Sequence, residues 1–355
     1  MSGQAFKDFL HSVRTAEKWD RLRAMLTPRD KLGVVIHGEP DPDSLASGWA
    51  LMYLLKSRVA SIRLFATQPV RREENVRFLN VLRIPLEVVQ AIPVKELTKT
   101  AVVDAQPDFF QPALGFTFDI VIDHHPKQGR YSFKFSDIRP DYGSTATMLL
   151  EYLLWSGNVL PKNLATALWF GLRTDTDNLD RTVRTVDLAA YSYLYRRSNR
   201  RMIQWLEQSA IPSSYRDFFM KGLYAMDPHH KQAVIMLGEV PQPDACVHVA
   251  DFLARFVNVR WVAVAGVHGT TLFIILRGGA FGINVGRIAR LKLGAFGSAG
   301  GHHDKARAEI LTTKLASLFG AHPTNERIEQ WLRSVLVGGR RSKESRNNNH
   351  KRNGL

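Results

Sequence analysis

A chain of 355 residues with 45% hydrophobic content is long enough for two domains with buried cores, and its single cysteine excludes an intrachain disulfide or a thiolate metal cluster. The formal charge of +15 at pH 7 favours polyanions such as nucleotides or nucleic acid. No apolar run approaches the ~20 residues of a membrane span, and the N-terminus lacks the basic-then-apolar order of a secretory signal, so a reducing cytoplasm is the expected location.

In chain order, residues 5–26 place Phe6, Phe9, Leu10, Val13, Leu22 and Leu26 at helical spacing and predict a covering helix. An apolar run at 32–36 reads as a buried strand, and 44–55 as a helix whose small residues allow close packing on a sheet. Residues 62–66 form a second expected strand and 72–82 a helix, with further strands at 101–103 and 120–122. Alternation of strand and helix predicts an α/β domain with a parallel sheet. Residues 143–156 and 163–173 are helical by pattern, with Ser144 or Thr145 as the cap of the first. From 185 to about 224 the pattern stays helical and rich in arginine (Arg196, Arg197, Arg200, Arg201). The expected division is therefore a domain over 1–195, a helical linker over 196–228 and a second domain over 229–337. That second domain has expected strands at 232–237, 261–265 and 271–276 and helices at 284–293, 304–319 and 324–336, which makes a smaller mixed α/β unit. The tail 338–355 holds six Lys/Arg against one Glu, five of the fifteen net charges, and reads as disordered.

Four clusters of acids and histidines carry the chemistry. They are His37, Asp41 and Asp43; Asp104; Asp123, His124 and His125; and Asp175 with Asp177. The first three follow the apolar runs at 32–36, 101–103 and 120–122 directly. Side chains beyond the carboxyl ends of strands in an open α/β sheet converge, and that much unpaired negative charge at one point is costly. Divalent cations resolve it, and carboxylate and imidazole ligands suit Mn²⁺, Mg²⁺ or Zn²⁺. Two such ions would make a hydrolase for phosphorus esters. Pro40 and Pro42 stiffen the first loop. The bland alternatives are that Asp43 caps the following helix, Asp41 forms a turn and Asp104 starts a solvated loop.

A second motif runs from Gly297 through Gly300 and Gly301 to His302. Consecutive glycines let backbone N–H groups approach a phosphate, and an expected helix after them would bring its positive end there. His302 can donate to a phosphoryl oxygen, and Arg277, at the end of an apolar strand, can clamp the same group bidentately. A flexible glycine turn is the plain alternative, and Arg287, Arg290 and Lys292 read as a solvated helix face as readily as a basic track.

The four clusters resemble the DHH phosphoesterase superfamily, and the glycine segment resembles its associated DHHA1 domain; the likeness spans roughly residues 30 to 320. It implies a parallel-sheet DHH domain and a smaller mixed DHHA1 domain with a cleft between them, in the branch of RecJ-type exonucleases, nano-RNases and 3′-phosphoadenosine-5′-phosphate phosphatases. By this resemblance one Mn²⁺ takes His37, Asp41 and Asp104, and a second takes Asp43, Asp104, His124 and Asp175, with Mg²⁺ or another divalent ion as the alternative. Asp104 bridges, His125 faces the phosphate, and Asp123 fixes ring orientation. Asp177 competes with Asp175 from two residues away. The implied activity is hydrolysis of short oligonucleotides to nucleoside monophosphates, by a chain that can form a homodimer. Rival activities are a cyclic dinucleotide phosphodiesterase, a 3′-phosphoadenosine-5′-phosphate phosphatase, and a nucleotide- or RNA-binding module without catalysis.

Overall fold

Leu32, Val34, Val35 and Ile36 are all fully buried, as an apolar run must be when a sheet is covered on both faces. The computed structural model describes residues 13–109, 116–127, 129, 133–180, 183–207, 211–226, 231–256, 258–278, 283–320 and 323–338. Phe6, Phe9 and Leu10 and the tail beyond 338 lie outside these. Two compact units divide between residues 210 and 211, inside the stretch expected as a linker.

The first unit begins with α1 (Val13–Ala24), β1 (Lys31–Ile36), α2 (Pro42–Leu55), β2 (Ser61–Ala66), α3 (Glu73–Leu82), β3 (Leu86–Val88) and β4 (Lys99–Val103). It continues with β5 (Ile120–Asp123), β6 (Phe135–Ile138), α4 (Thr145–Trp155), α5 (Lys162–Asp175), α6 (Thr185–Arg197) and α7 (Arg200–Glu207). The sheet order is β3-β2-β1-β4-β5-β6, and every pair is parallel. From β1 the chain steps outward through β2 and β3, then returns to β4 on the other side of β1. The switch point, where a crevice opens at the carboxyl ends, therefore lies between β1 and β4. His37 follows one of these strands and Asp104 the other.

Alternate strand residues serve opposite faces. Leu32, Val34 and Ile36 join the main core with Leu45, Leu51, Leu149 and Leu168 from the helices, whereas Val35 packs with Phe65, Val102 and Val121 on the other side. Gly171 in α5 has a specific use: a Cβ there would lie 3.0 Å from Asp43 Cα and 3.0 Å from the Pro42 carbonyl oxygen. Its absence lets α5 approach the start of α2, which carries Asp175 toward Asp43 one turn later.

The second unit contains α8 (Arg216–Ala225), β7 (Gln232–Glu239), α9 (Asp244–Leu253), β8 (Trp261–His268), β9 (Thr271–Gly278) and α10 (Val285–Leu293). It ends with β10 (Ser298–Gly301), β11 (Lys305–Leu311), α11 (Thr312–Phe319) and α12 (Asn325–Arg333). Its sheet runs β10-β11-β9-β8-β7, with β7 and β8 parallel and the other pairs antiparallel. The expected helix over 304–319 is corrected here: β11 occupies its first half and α11 its second. Lys, Ala, Arg and Glu favour helix locally, but Ala306, Ala308 and Ile310 are buried in alternation with Arg307 and Glu309, and pairing with β9 prevails. Among the described residues, no helix is long and apolar enough to cross a membrane.

Candidate metal centre

Asp43, His124 and Asp175 each present a ligand atom within 4.8 Å of the others, and so do Asp104, His124 and His125. Four segments distant in sequence thus deliver one cluster. Asp43 lies in the first turn of α2 and is buried, accepting the backbone N–H groups of Thr145 and Ala146 at 2.8 Å each. Asp104 follows β4 with φ of 58°, a left-handed conformation that Asp tolerates better than most residues. Thr145 Oγ1 donates to its Oδ1 at 2.9 Å. Asp175 closes α5.

Asp41 caps α2 instead, its Oδ1 accepting the Ser44 amide at 2.9 Å, while the His37 and His125 rings both neighbour Phe109, with centroids at 6.2 and 5.6 Å. Neither belongs to the two ligand sets, although the Asp41 charge still acts on both Asp43 and Asp104. Capping, the bland alternative for Asp43, thus falls to Asp41, while Asp43 lies inside the helix and in a ligand set. Asp177 has φ of 51° and joins neither set.

His124 supplies the observation that tests for a cation. Its Nδ1 lies 3.1 Å from the Tyr142 carbonyl oxygen, which only accepts, so Nδ1 carries the proton and donates. Nε2 then points its lone pair toward Asp175 Oδ2 at 3.0 Å and Asp104 Oδ1 at 3.5 Å. It is buried and, despite those distances, lacks the direction for a hydrogen bond. A lone pair facing two carboxylates is repulsive unless a proton or a metal ion lies between them. The residues therefore fit a divalent cation with mixed oxygen and nitrogen ligands.

The electrostatics agree. Burial, together with the charges of Asp175 and Asp41, pushes Asp43 up to about 7, against the pull of His124 and the Thr145 amide. Burial and the carboxylates of Asp43, Asp41, Asp175 and Asp123 hold Asp104 well above the usual range. Burial opposes protonation of His124, but Asp175 and Asp43 outweigh it and raise the ring to about 9. Burial lowers His37, which favours the neutral form that a metal ligand requires.

Asp123 is wholly buried and is the exception among the acids. Burial would raise it, yet hydrogen bonds from His125 and Gln106 hold it below the ordinary carboxylate range. Gln106 Nε2 donates to its Oδ2 at 2.7 Å, and His125 Nδ1 meets its Oδ1 at 2.8 Å. This orients the His125 ring, which remains 42% exposed and can meet a substrate. The His124 and His125 rings lie 4.4 Å apart, because β5 ends at Asp123 and strand alternation no longer separates them.

Several contributing residues escape a reading of the sequence: Gln106, Tyr142 and the amides at the start of α4. Ser144 does cap that helix, accepting the Thr147 amide at 3.1 Å, but Thr145 turns to Asp104. Among the arginines expected near the domain junction, Arg197 stacks over Tyr193 at 3.6 Å and Arg200 over Tyr195 at 3.9 Å.

In the second unit, Gly300 and Gly301 lie in β10, an edge strand, and His302 is exposed directly after it. Gly301 has φ of 144°, and a Cβ there would fall 2.3 Å from the Lys305 carbonyl oxygen, so no other residue fits. Above Gly300 a Cβ would meet nothing within 4 Å, leaving its backbone approachable. The expectation of a following helix with a free positive end is corrected: a strand follows. The helix whose start meets this segment is α10, and its first amides, from Val285 and Gly286, donate to the carbonyls of His303 and His302 at 2.8 and 2.9 Å. The next, from Arg287, donates to Asn284 Oδ1 at 2.7 Å. Arg277 is paired through Nε with Asp251 Oδ1 at 2.5 Å.

No family model matches the chain. An uncharacterized protein of Methanocaldococcus jannaschii is 28% identical over 305 residues, 86% of this chain and 63% of its own length. The chain thus spans less than two thirds of that relative. Among solved structures, an exopolyphosphatase-related protein from Bacteroides fragilis has a TM-score of 0.65 at 15% identity, over 92% of this chain and 98% of its own. A Vibrio pGpG-specific phosphodiesterase is 12% identical with a TM-score of 0.39, over 86% and 100%. The Bacteroides likeness shows the fold class, a parallel-sheet α/β domain followed by a smaller mixed one, as the Asp-His-His and glycine motifs imply.

Proposed function

We propose that the chain is a divalent-metal-dependent phosphoesterase that hydrolyses short oligonucleotides to nucleoside monophosphates. The observation that carries this reading is the buried His124 Nε2, set among Asp43, Asp104 and Asp175 without a well-directed hydrogen bond to any of them. A fold shared with an exopolyphosphatase-related protein supports the phosphorus-ester class, and the basic balance of the chain supports a polyanionic substrate. Asp43, Asp104, His124 and Asp175 would hold one ion, and His37, Asp41 and Asp104 the other, with Asp104 shared. Bound there, Mn²⁺ or a similar ion supplies Lewis acidity toward phosphoryl oxygens and toward an attacking water. His125, oriented by Asp123, donates to a phosphoryl oxygen as negative charge develops on it. Asp123 accepts from Nδ1, so the ring donates through Nε2 when both nitrogens carry protons, and Gln106 keeps Asp123 in place.

His302, Gly300, Gly301 and Arg277 hold a distal phosphate in this reading. His302→Ala is then expected to raise KM by about tenfold with kcat nearly unchanged, the loss of one charge-assisted hydrogen bond. A steady-state comparison in Mn²⁺ checks this, and a fall in kcat with constant KM would remove His302 from substrate binding.

The reading as a whole is tested with purified protein, Mn²⁺ and a panel of substrates resolved over time: RNAs of about two to five nucleotides, a long RNA, a cyclic dinucleotide and 3′-phosphoadenosine-5′-phosphate. We expect kcat/KM to be highest on the short RNAs, since longer strands would add only salt-screened contacts. A preference for the cyclic dinucleotide or for 3′-phosphoadenosine-5′-phosphate would reassign the substrate within the same chemistry. Binding of RNA with no turnover of any panel member would make the chain a binding module.

A further inference from the structure

Arg139 is completely buried, a costly placement for a guanidinium, and none of the four acid and histidine clusters includes it. All five of its N–H donors are engaged by side chains. Nε and Nη2 reach the two oxygens of Asp137 at 3.1 and 2.6 Å. Nη1 reaches Glu151 Oε2 at 2.6 Å and the Tyr142 hydroxyl at 3.1 Å, and Nη2 also reaches Thr15 Oγ1 at 2.9 Å. The Tyr142 hydroxyl in turn donates to Glu151 Oε1 at 3.0 Å, and Tyr152 donates to Asp137 Oδ2 at 2.8 Å. One cation serves two buried carboxylates, with Arg14 a further 3.6 Å from Asp137.

The backbone of the same residue is tied to the metal centre. The Arg139 amide donates to the Asp123 carbonyl at 2.9 Å, and its own carbonyl accepts the Tyr142 amide at 3.0 Å. Tyr142 then offers its carbonyl to His124 Nδ1. Residues 139–142 therefore form a bracket: one end grips Asp123, the other sets the ring of His124, and the side chain of Arg139 fixes the middle by holding the phenol. Just beyond, buried Asp187 accepts the Gly143 amide at 3.0 Å and Thr147 Oγ1 at 2.8 Å, which anchors the start of α4 where Asp43 is bound.

We propose that Arg139, acting through Tyr142, is a positioning residue that sets the orientation of His124 and thereby the affinity of the metal centre. The proposal rests on the metal reading above. An apolar side chain of similar volume would fill the space at lower cost, so stability alone does not account for five directed bonds. Planar geometry does, because the guanidinium fork presents its donors in fixed directions that an ammonium group cannot reproduce.

The test is Mn²⁺ affinity of the full chain, read by the free-ion EPR signal during titration. Arg139→Lys keeps the charge and loses the fork; Tyr142→Phe keeps the carbonyl and loses the phenol bonds. Leu82→Ala, in the same core but on α3, serves as a destabilised control that leaves the network intact. Arg139→Lys is expected to weaken Mn²⁺ binding about 10- to 100-fold, as loss of a partner that orients a metal-binding histidine does elsewhere. Tyr142→Phe should weaken it several-fold, and Leu82→Ala should leave it unchanged. If Arg139→Lys does not fold, Tyr142→Phe against the control decides alone. Folded variants with wild-type affinity would overturn the proposal, as would an equal loss in Leu82→Ala. Absence of Mn²⁺ binding by the wild-type chain is a separate outcome that overturns the metal reading itself.

Discussion

Asp104→Asn is expected to lower turnover by about 10³-fold, the order seen when a preorganised charge is removed from a reacting centre, while the fold survives. Asp104 follows β4, beside β1 at the topological switch of the sheet, and its carboxylate lies with His124 and His125. Its ionised form is held against burial and four other carboxylates. A group whose folded-state pKa is raised costs stability once it ionises, so the neutral amide removes a penalty from the metal-free protein. Asparagine also tolerates the left-handed backbone at this position and can still accept from Thr145. The metal-free variant should therefore melt no lower than the metal-free wild type, although it has lost its activity. Calorimetry in chelator and single-turnover assays in Mn²⁺ measure the two halves. Turnover within tenfold of wild type would eliminate Asp104 as a ligand shared by the two ions.

The parts of this centre that were legible in the sequence share one property: each follows a local pattern. His37, Asp104 and Asp123 stand at the ends of apolar runs, and burial of those runs on both faces fixes where the chain emerges. Arg139 left no such trace, because its partner Thr15 is 124 residues away and its link to His124 runs through a backbone carbonyl, which any residue possesses. Gln106 is invisible for a related reason, since an amide two residues after a ligand usually faces solvent. The short strands β3 and β6 are legible only through pairing; β6 even carries a buried carboxylate, Asp137, which Arg139 makes tolerable. Segment 304–319 failed from the opposite cause, a helix-favouring composition overruled by a neighbouring strand. Arg277 is legible at its strand end, but its partner Asp251 comes from α9, which no local pattern connects to it.

Removal of divalent ions should abolish activity, and the stabilisation that Mn²⁺ returns should grow as pH rises. Two groups determine the sign. Asp43 is raised from an ordinary 3.8 to about 7, so the folded metal-free chain binds a proton that the unfolded chain releases, and stability falls as pH climbs through that interval. His124 is raised from 6.5 to about 9; its contribution is full below 6.5 and is lost as pH rises through about 9. Both effects weaken the metal-free protein with increasing pH. Mn²⁺ acts in the opposite sense, since it binds the deprotonated carboxylate and the neutral ring and displaces those protons. The gap in Tm between the Mn²⁺-loaded and metal-free protein should therefore widen from pH 6.5 toward about 9, and calorimetric titration in buffers of different ionisation heat should show protons released on binding. The same series in His124→Ala should lose the upper part of that widening, because the group titrating there is gone. A gap that stays flat or shrinks with pH, or hydrolysis that persists in chelator, would exclude a cation held between His124 and the carboxylates of Asp43, Asp104 and Asp175.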